Sequence, residues 1–197
     1  NSYYSCFNHL MEDLLSQHSY QDFFNIVFQY TYQLGNYDNF HICLNENWNH
    51  ASKMISDEAI RLGYSDRMYP VVHCNKNYST ENHIDFSNSF DTKLILPELH
   101  EDHEKPSAYI FTPLHFDDQC FGYAVISYGD EPRVYDESYI LWLHNVMQGM
   151  ESFYRQDILR QLLNEMESAQ IRDSLTGLYN YRGLITQTKQ LIAESVH

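Results

Sequence analysis

Residues 109–127 read YIFTPLHFDDQCFGYAVIS, and their pattern decides the fold. Two apolar, aromatic-rich runs, residues 108–116 and 120–128, flank the polar break Asp117-Asp118-Gln119. Runs of β-branched and aromatic residues around so short a break signal an antiparallel hairpin. Gly122, inside the second run, points to a bulge or a close backbone approach.

A lone hairpin is marginal in water, so this one needs further strands or helices to pack on. Residues 40–44 and 68–74 are strand-like, the first followed by a polar loop over 45–50. Residues 93–99 read as a strand or as a short helix interrupted at Pro97, and residues 75–90 as mostly loop. Residues 54–63 carry a weak helical period.

Helices bracket these strands. Tyr4, Phe7, Leu10, Met11, Leu14 and Leu15 recur at helical spacing over residues 3–15. A second helix is predicted to start at Ser19, with Asp22 three residues on as an approximate capping box, and to stop at Gly35. After Pro132 comes the longest helix, opening near Asp136 and Glu137, whose charges suit a helix start. Its stripe is Leu143, Met147, Met150, Tyr154, Ile158, Leu162, Met166 and Ala169. Steps of four dominate, so the stripe is no strict heptad. Up to about Phe153 the helix is expected to pack on its own domain. Beyond that, Ile158, Leu159, Leu162, Leu163 and Met166 need another surface, and a second copy of the same helix supplies one. A parallel homodimer through Ile158, Leu162 and Met166 is therefore expected.

Composition bounds the function. Twelve Lys+Arg against 27 Asp+Glu give a formal net charge of -15, which disfavours nucleic acid and anionic membrane surfaces. Seventeen Tyr and 11 Phe predict a core rich in rings. The apolar runs fall short of a bilayer span and residues 1–15 do not resemble a signal peptide, so the chain reads as cytoplasmic, and as an excised piece. Cys6, Cys43, Cys74 and Cys120 form no C-x-x-C pair and are expected to be reduced, mostly buried thiols, Cys120 a core residue among them.

The hairpin, with Pro113 and Leu114 on one strand and Gly122 and Ile126 on the other, resembles the late hairpin of a GAF domain. The order of elements over residues 15–153 is similar too: paired helices, a strand, a variable middle, the hairpin, a terminal helix. PAS domains are the nearest competitor, and the paired N-terminal helices and the length before the hairpin favour GAF. The resemblance implies an α+β fold, a GAF-like antiparallel sheet flanked by N- and C-terminal helices and extended by a long C-terminal signalling helix. It also implies a ligand pocket between the sheet and the variable middle, for which alternation suggests His73, Tyr109, Phe111, His115 and Tyr123.

Asp173-Ser174-Leu175-Thr176-Gly177-Leu178-Tyr179-Asn180 fits D-x-L-T-G-L-x-N, which resembles the opening of the GGDEF domain of diguanylate cyclases. Arg182 and Leu184 continue the match, and Tyr181 departs from it where an arginine is usual. The resemblance implies a clamp of Asp173, Asn180 and Arg182, with Leu175, Thr176, Gly177 and Leu178 completing a signal-coupling turn. No Gly-Gly pair occurs in the chain, so the G-G-[DE]-E-F loop is absent from it. The chain itself is thus expected not to be an enzyme and to carry no cofactor, while a parent cyclase would use GTP and Mg2+. The expected organisation is a sensory domain over 1–153, a linker helix over 154–172 and the start of a GGDEF domain over 173–197. The expected role is a regulatory sensor and dimerisation module, responsive to an unidentified small-molecule effector. A ligand-free dimerisation or protein-docking module is the alternative.

Other constellations are weaker. His100-Glu101-Asp102-His103-Glu104 offers two histidines among carboxylates, but no third ligand at convincing spacing, and reads as a solvated acidic loop. His41 and His115, in strands among aromatics, read as half-buried histidines rather than ligands or bases. No Walker loop, H-E-x-x-H, G-x-S-x-G or dinucleotide fingerprint occurs.

Overall fold

The computed structural model describes residues 2–35, 37–46, 48, 65–75, 83–100, 107–116, 119–128, 137–171, 173 and 176–195. The predicted helix over 54–63 and most of the His100–Glu104 motif lie outside them. The chain divides into two compact units, Asn1–Phe153 and Tyr154–His197.

The first unit is α+β. Helices α1 (Ser2–Leu15) and α2 (Tyr20–Gln29) lead through a 3-10 turn, Tyr30–Leu34, into strand β1 (Asn39–Asn45). Strands β2 (Arg67–Asn75), β3 (His83–Ile84) and β4 (Phe90–Asp91) follow. Two 3-10 turns, Thr92–Leu94 and Pro97–His100, then lead to the hairpin of β5 (Tyr109–Phe116) and β6 (Gln119–Ser127). Helix α3 runs from Glu137 to Ile171 and helix α4 from Tyr181 to Ser195.

The pairings of these strands are antiparallel, in the order β3-β2-β1-β6-β5, with β4 also on β2. The loop expected over 75–90 thus contributes two short pairings, His83–Ile84 and Phe90–Asp91. In place of a strand or helix, residues 93–99 form parts of two 3-10 turns, because Pro97 removes a backbone donor and Ile95 takes a positive φ of 63° between them.

Local chemistry accounts for the boundaries. The Ser19 hydroxyl oxygen accepts from the Asp22 amide at 3.1 Å and the hydroxyl donates to the Asp22 carboxylate at 2.6 Å, closing the start of α2. Gly35, with φ 73°, ends the following turn. Pro113 lacks an amide to share and sits in β5, the outer strand of this order, where among the described residues one edge makes no ladder. Pro70 lies beside the register shift between Ile42 and Cys43 in the β1–β2 pairing.

Register sorts the side chains into two faces. One carries Phe40 and Ile42 of β1, Cys74 of β2, Ala124 and Ile126 of β6, and Thr112 of β5. The helices cover it: the Phe40 ring meets Trp142 of α3 edge-on at 5.5 Å, and the Tyr139 hydroxyl of α3 bonds Thr112 at 3.2 Å. The Cys74 thiol reaches Thr31 at 3.8 Å. Tyr139, Trp142, Leu143, Val146, Met150 and Phe153 are buried along α3. Each fully buried apolar side chain is worth about 1.5–3 kcal/mol, so this half of α3 is held firmly. Rings from several segments join in one cluster, in which Phe24 touches Phe23, Trp48 and Phe86, and Phe23 touches Phe153.

Gly122 fits where no other residue does. Its φ is 145°, and a Cβ there would lie 2.0 Å from the Cys43 carbonyl oxygen and 2.9 Å from the Leu44 Cα. The register shift of the hairpin between Leu114 and His115 is alongside. The glycine therefore lets β6 close onto β1 at this bulge.

Candidate functional site

The second face of the sheet carries the polar chemistry. His41 and Cys43 alternate along β1, His73 stands opposite His41 on β2, and Tyr123 and Val125 stand beside them on β6. Tyr109 and Phe111 extend this face onto β5. The two 3-10 turns lie across it. Leu96 packs with Cys43, Met68, Phe90 and Val125, and Tyr109 and Tyr123 flank that cluster. The Tyr123 hydroxyl donates to the Ile95 carbonyl. Residues 92–100 thus form a strap tied to the sheet by apolar contact and by one phenol.

Glu98 projects from the strap to the two histidines. Its Oε2 lies 3.0 Å from Nε2 of His41, and its Oε1 lies 3.5 Å from Nε2 of His73. The two imidazoles stack with centroids 4.6 Å apart and planes at 24°. His41 is 2% exposed, His73 20% and Glu98 26%, so the group runs from the core toward solvent. His41 Nε2 is buried and, although close to the carboxylate, lacks the alignment of a hydrogen bond. The three ligand atoms lie within 4.8 Å of one another, which makes this trio able to hold a metal ion.

Burial and charge shape the neighbours. Burial pushes the Cys43 thiol well above its ordinary value, and the Glu98 carboxylate pushes the same way. Burial likewise raises the Tyr123 phenol, with Cys43 adding to it. Both groups are therefore neutral donors at physiological pH, and neither is a ready nucleophile.

Of the pocket residues expected from alternation, His73, Tyr109, Phe111 and Tyr123 share this face, and the Phe111 and Tyr123 rings meet at 5.7 Å. His115 stands apart: it is exposed and pairs with Cys120 beyond the register shift. Two further readings need correction. His41 is buried rather than half-buried, because β1 is the central strand and is covered on both faces. Cys120, expected in the core, is only partly buried, whereas Cys43 and Cys74 are buried free thiols. Glu98 escaped the sequence reading altogether. The strand-like readings of residues 40–44 and 68–74 placed each histidine in a strand, but nothing local marks a glutamate 57 positions away from His41 in sequence.

The second unit contains the patterned turn. Asp173 Oδ1 accepts from the Thr176 amide at 3.0 Å and from its hydroxyl at 2.9 Å. The Gly177 amide bonds the Asp173 carbonyl at 2.9 Å, and the Asp173 amide bonds the Leu178 carbonyl at 2.8 Å. Gly177 has φ 68°, which a two-way closed turn of this kind favours for glycine. Asn180 Oδ1 accepts from the Gly183 amide at 2.9 Å and caps α4. Of the clamp expected from the resemblance, Asp173 thus engages Thr176 and Asn180 engages the first turn of α4. Leu175 and the Arg182 side chain lie outside the described part.

Along α3, Leu159, Leu162, Leu163 and Met166 are 58%, 51%, 51% and 60% exposed, in contrast to the buried residues before Phe153. Among the described residues no helix is long and apolar enough to cross a membrane.

Compared with known families, curated proteins and solved structures, the chain matches no family model, and no curated protein or solved structure matches it.

Proposed function

We propose that the chain is a cytoplasmic, GAF-like sensory and dimerising module that controls a diguanylate cyclase through its C-terminal helix and the Asp173 turn. The observation that carries this reading is the change of character along α3. The helix is buried on its domain through Phe153, then continues with exposed leucines to Ile171, and the closed Asp173 turn follows. A lever of this kind has one end fixed by the sensor and an apolar flank left for a second copy. Condensing two GTP molecules needs two half-sites facing each other, so a shift in helix packing within a dimer regulates output. An effector acts on such an equilibrium only through its different affinity for the two arrangements.

The face of His41, His73, Tyr109 and Tyr123 beneath the strap, with the exposed Phe111 beside it, is the effector site in this reading. Catalysis, with GTP and Mg2+, belongs to the cyclase domain of the parent protein. The charge of -15 makes nucleic acid an unsuitable partner. The test is Asp173→Ala in the protein that carries a complete cyclase domain. Dimerisation is expected to persist while cyclic di-GMP output no longer follows the sensor; unchanged regulation contradicts the reading.

A further inference from the structure

We propose that His41, His73 and Glu98 form a binding site for a divalent transition-metal ion, with zinc as the reference ion, and that the ion fastens the strap to the sheet. Three observations converge on it. First, the donor set is two imidazole nitrogens and a carboxylate, a combination that suits zinc and its first-row neighbours rather than calcium or magnesium. Second, the spacing fits. Zinc bonds to nitrogen and oxygen of about 2.0–2.1 Å at tetrahedral angles place two donor atoms about 3.3 Å apart. The His41–Glu98 and His73–Glu98 separations, one to each carboxylate oxygen, are 3.0 and 3.5 Å, and one ligand atom from each of the three residues lies within 4.8 Å of the others. Third, the buried His41 Nε2 lies 3.0 Å from the carboxylate without hydrogen-bond alignment, which is how a ligand nitrogen stands toward a fellow ligand rather than toward an acceptor.

The backbone prepares the site. His41 and His73 are direct cross-strand partners, so the ladder fixes their rings side by side at no cost in loop ordering. Glu98 alone comes from a different kind of element, the Pro97–His100 turn. Ion binding therefore adds a link from the strap to β1 and β2, beyond the Leu96 packing, the Tyr123 phenol and the direct approach of Glu98 to the histidines that hold without it. Three protein ligands leave a fourth position for water or for a coordinating group of a small molecule. The site thus names a chemical class for the effector, and in that regulatory respect it rests on the sensory reading; ion binding itself does not.

The test is calorimetric titration of zinc chloride into the purified, metal-free chain, with cobalt(II) absorption as a second readout of a nitrogen and oxygen ligand set. The expected result is one ion per chain with submicromolar affinity. Glu98→Gln and His73→Gln each weaken it more than about tenfold, since even outer partners of a metal ligand cost 10–100-fold. His103→Ala, which disables the acidic His-Glu-Asp-His-Glu motif, leaves affinity unchanged. Far- and near-ultraviolet circular dichroism of each variant checks that it is folded. Absence of stoichiometric binding, or binding lost in His103→Ala and kept in folded Glu98→Gln, overturns the assignment. A dimer that binds no zinc overturns the metal site alone, and a monomer that binds zinc through Glu98 upholds the site and contradicts the dimeric sensor.

Discussion

His41 and His73 face each other across β1 and β2 with stacked rings 4.6 Å apart, and one carboxylate, Glu98, spans both. In the metal-free chain that carboxylate is what meets the buried His41 nitrogen. Glu98→Ala is expected to lower stability by about 1 kcal/mol or less, because it removes a close carboxylate–imidazole contact rather than an aligned hydrogen bond. Glu98→Gln, which keeps an acceptor in place, costs less. Urea unfolding followed by circular dichroism checks both, and equal stability of Glu98→Ala and the parent chain contradicts the role assigned to the carboxylate.

Gly122 and the Cys43 carbonyl define the tightest point between β6 and β1. Gly122→Ala forces a Cβ into that oxygen at a φ that L-residues resist, so the hairpin must shift. The expected loss is about 2–4 kcal/mol, combining overpacking and backbone strain. A thermal melt within experimental error of the parent chain contradicts the bulge assignment.

The buried thiols make stability fall at alkaline pH. Burial raises Cys74 to about 11, against weaker lowering by Thr31 and Tyr37, while an unfolded thiol titrates near about 8.5. The folded value lies above the unfolded one, so the contribution is fully present below about pH 8.5 and is lost as pH climbs toward the folded value. Within that window the loss approaches about 1.4 kcal/mol per pH unit for each such group. Cys43 is shifted in the same direction. Unfolding free energies measured between about pH 8 and 10 are expected to decline, and more gently in Cys74→Ala. In the native chain at neutral pH both thiols are expected to resist thiol reagents.

The exposed flank of α3 is expected to carry self-association. Leu162→Asp together with Met166→Asp places charge on side chains that are half or more exposed in the single chain, so the fold of the first unit changes by no more than about 0.5 kcal/mol. Sedimentation velocity is expected to convert from dimer to monomer. A double variant that remains dimeric moves the interface elsewhere.

Much of the first unit was legible because its signals are local. The hairpin announced itself by two apolar, aromatic runs around a polar break, Ser19 and Gly35 marked the limits of the second helical segment, and the length of α3 beyond what its domain can cover marked off its exposed half. The strap was not legible. Residues 92–100 have no period of their own, since two 3-10 turns around a positive-φ isoleucine answer to packing on Cys43, Met68 and Val125. The pairings at His83–Ile84 and Phe90–Asp91 are too short to leave an alternation. The histidine pair was half legible: each residue fell in a predicted strand, but only register brings them opposite, and only the strap brings Glu98. The turn at Asp173 was marked in the sequence by its motif, whereas the capping role of Asn180 depends on where α4 begins.

The most direct test of the dimeric sensor is native mass spectrometry of the purified chain, because one spectrum counts both subunits and retained small molecules or ions. The expected spectrum is a dimer carrying a defined extra mass on each chain. A bare monomer, at concentrations of tens of micromolar, contradicts the claim that α3 joins two copies and that the strap-covered face holds an effector.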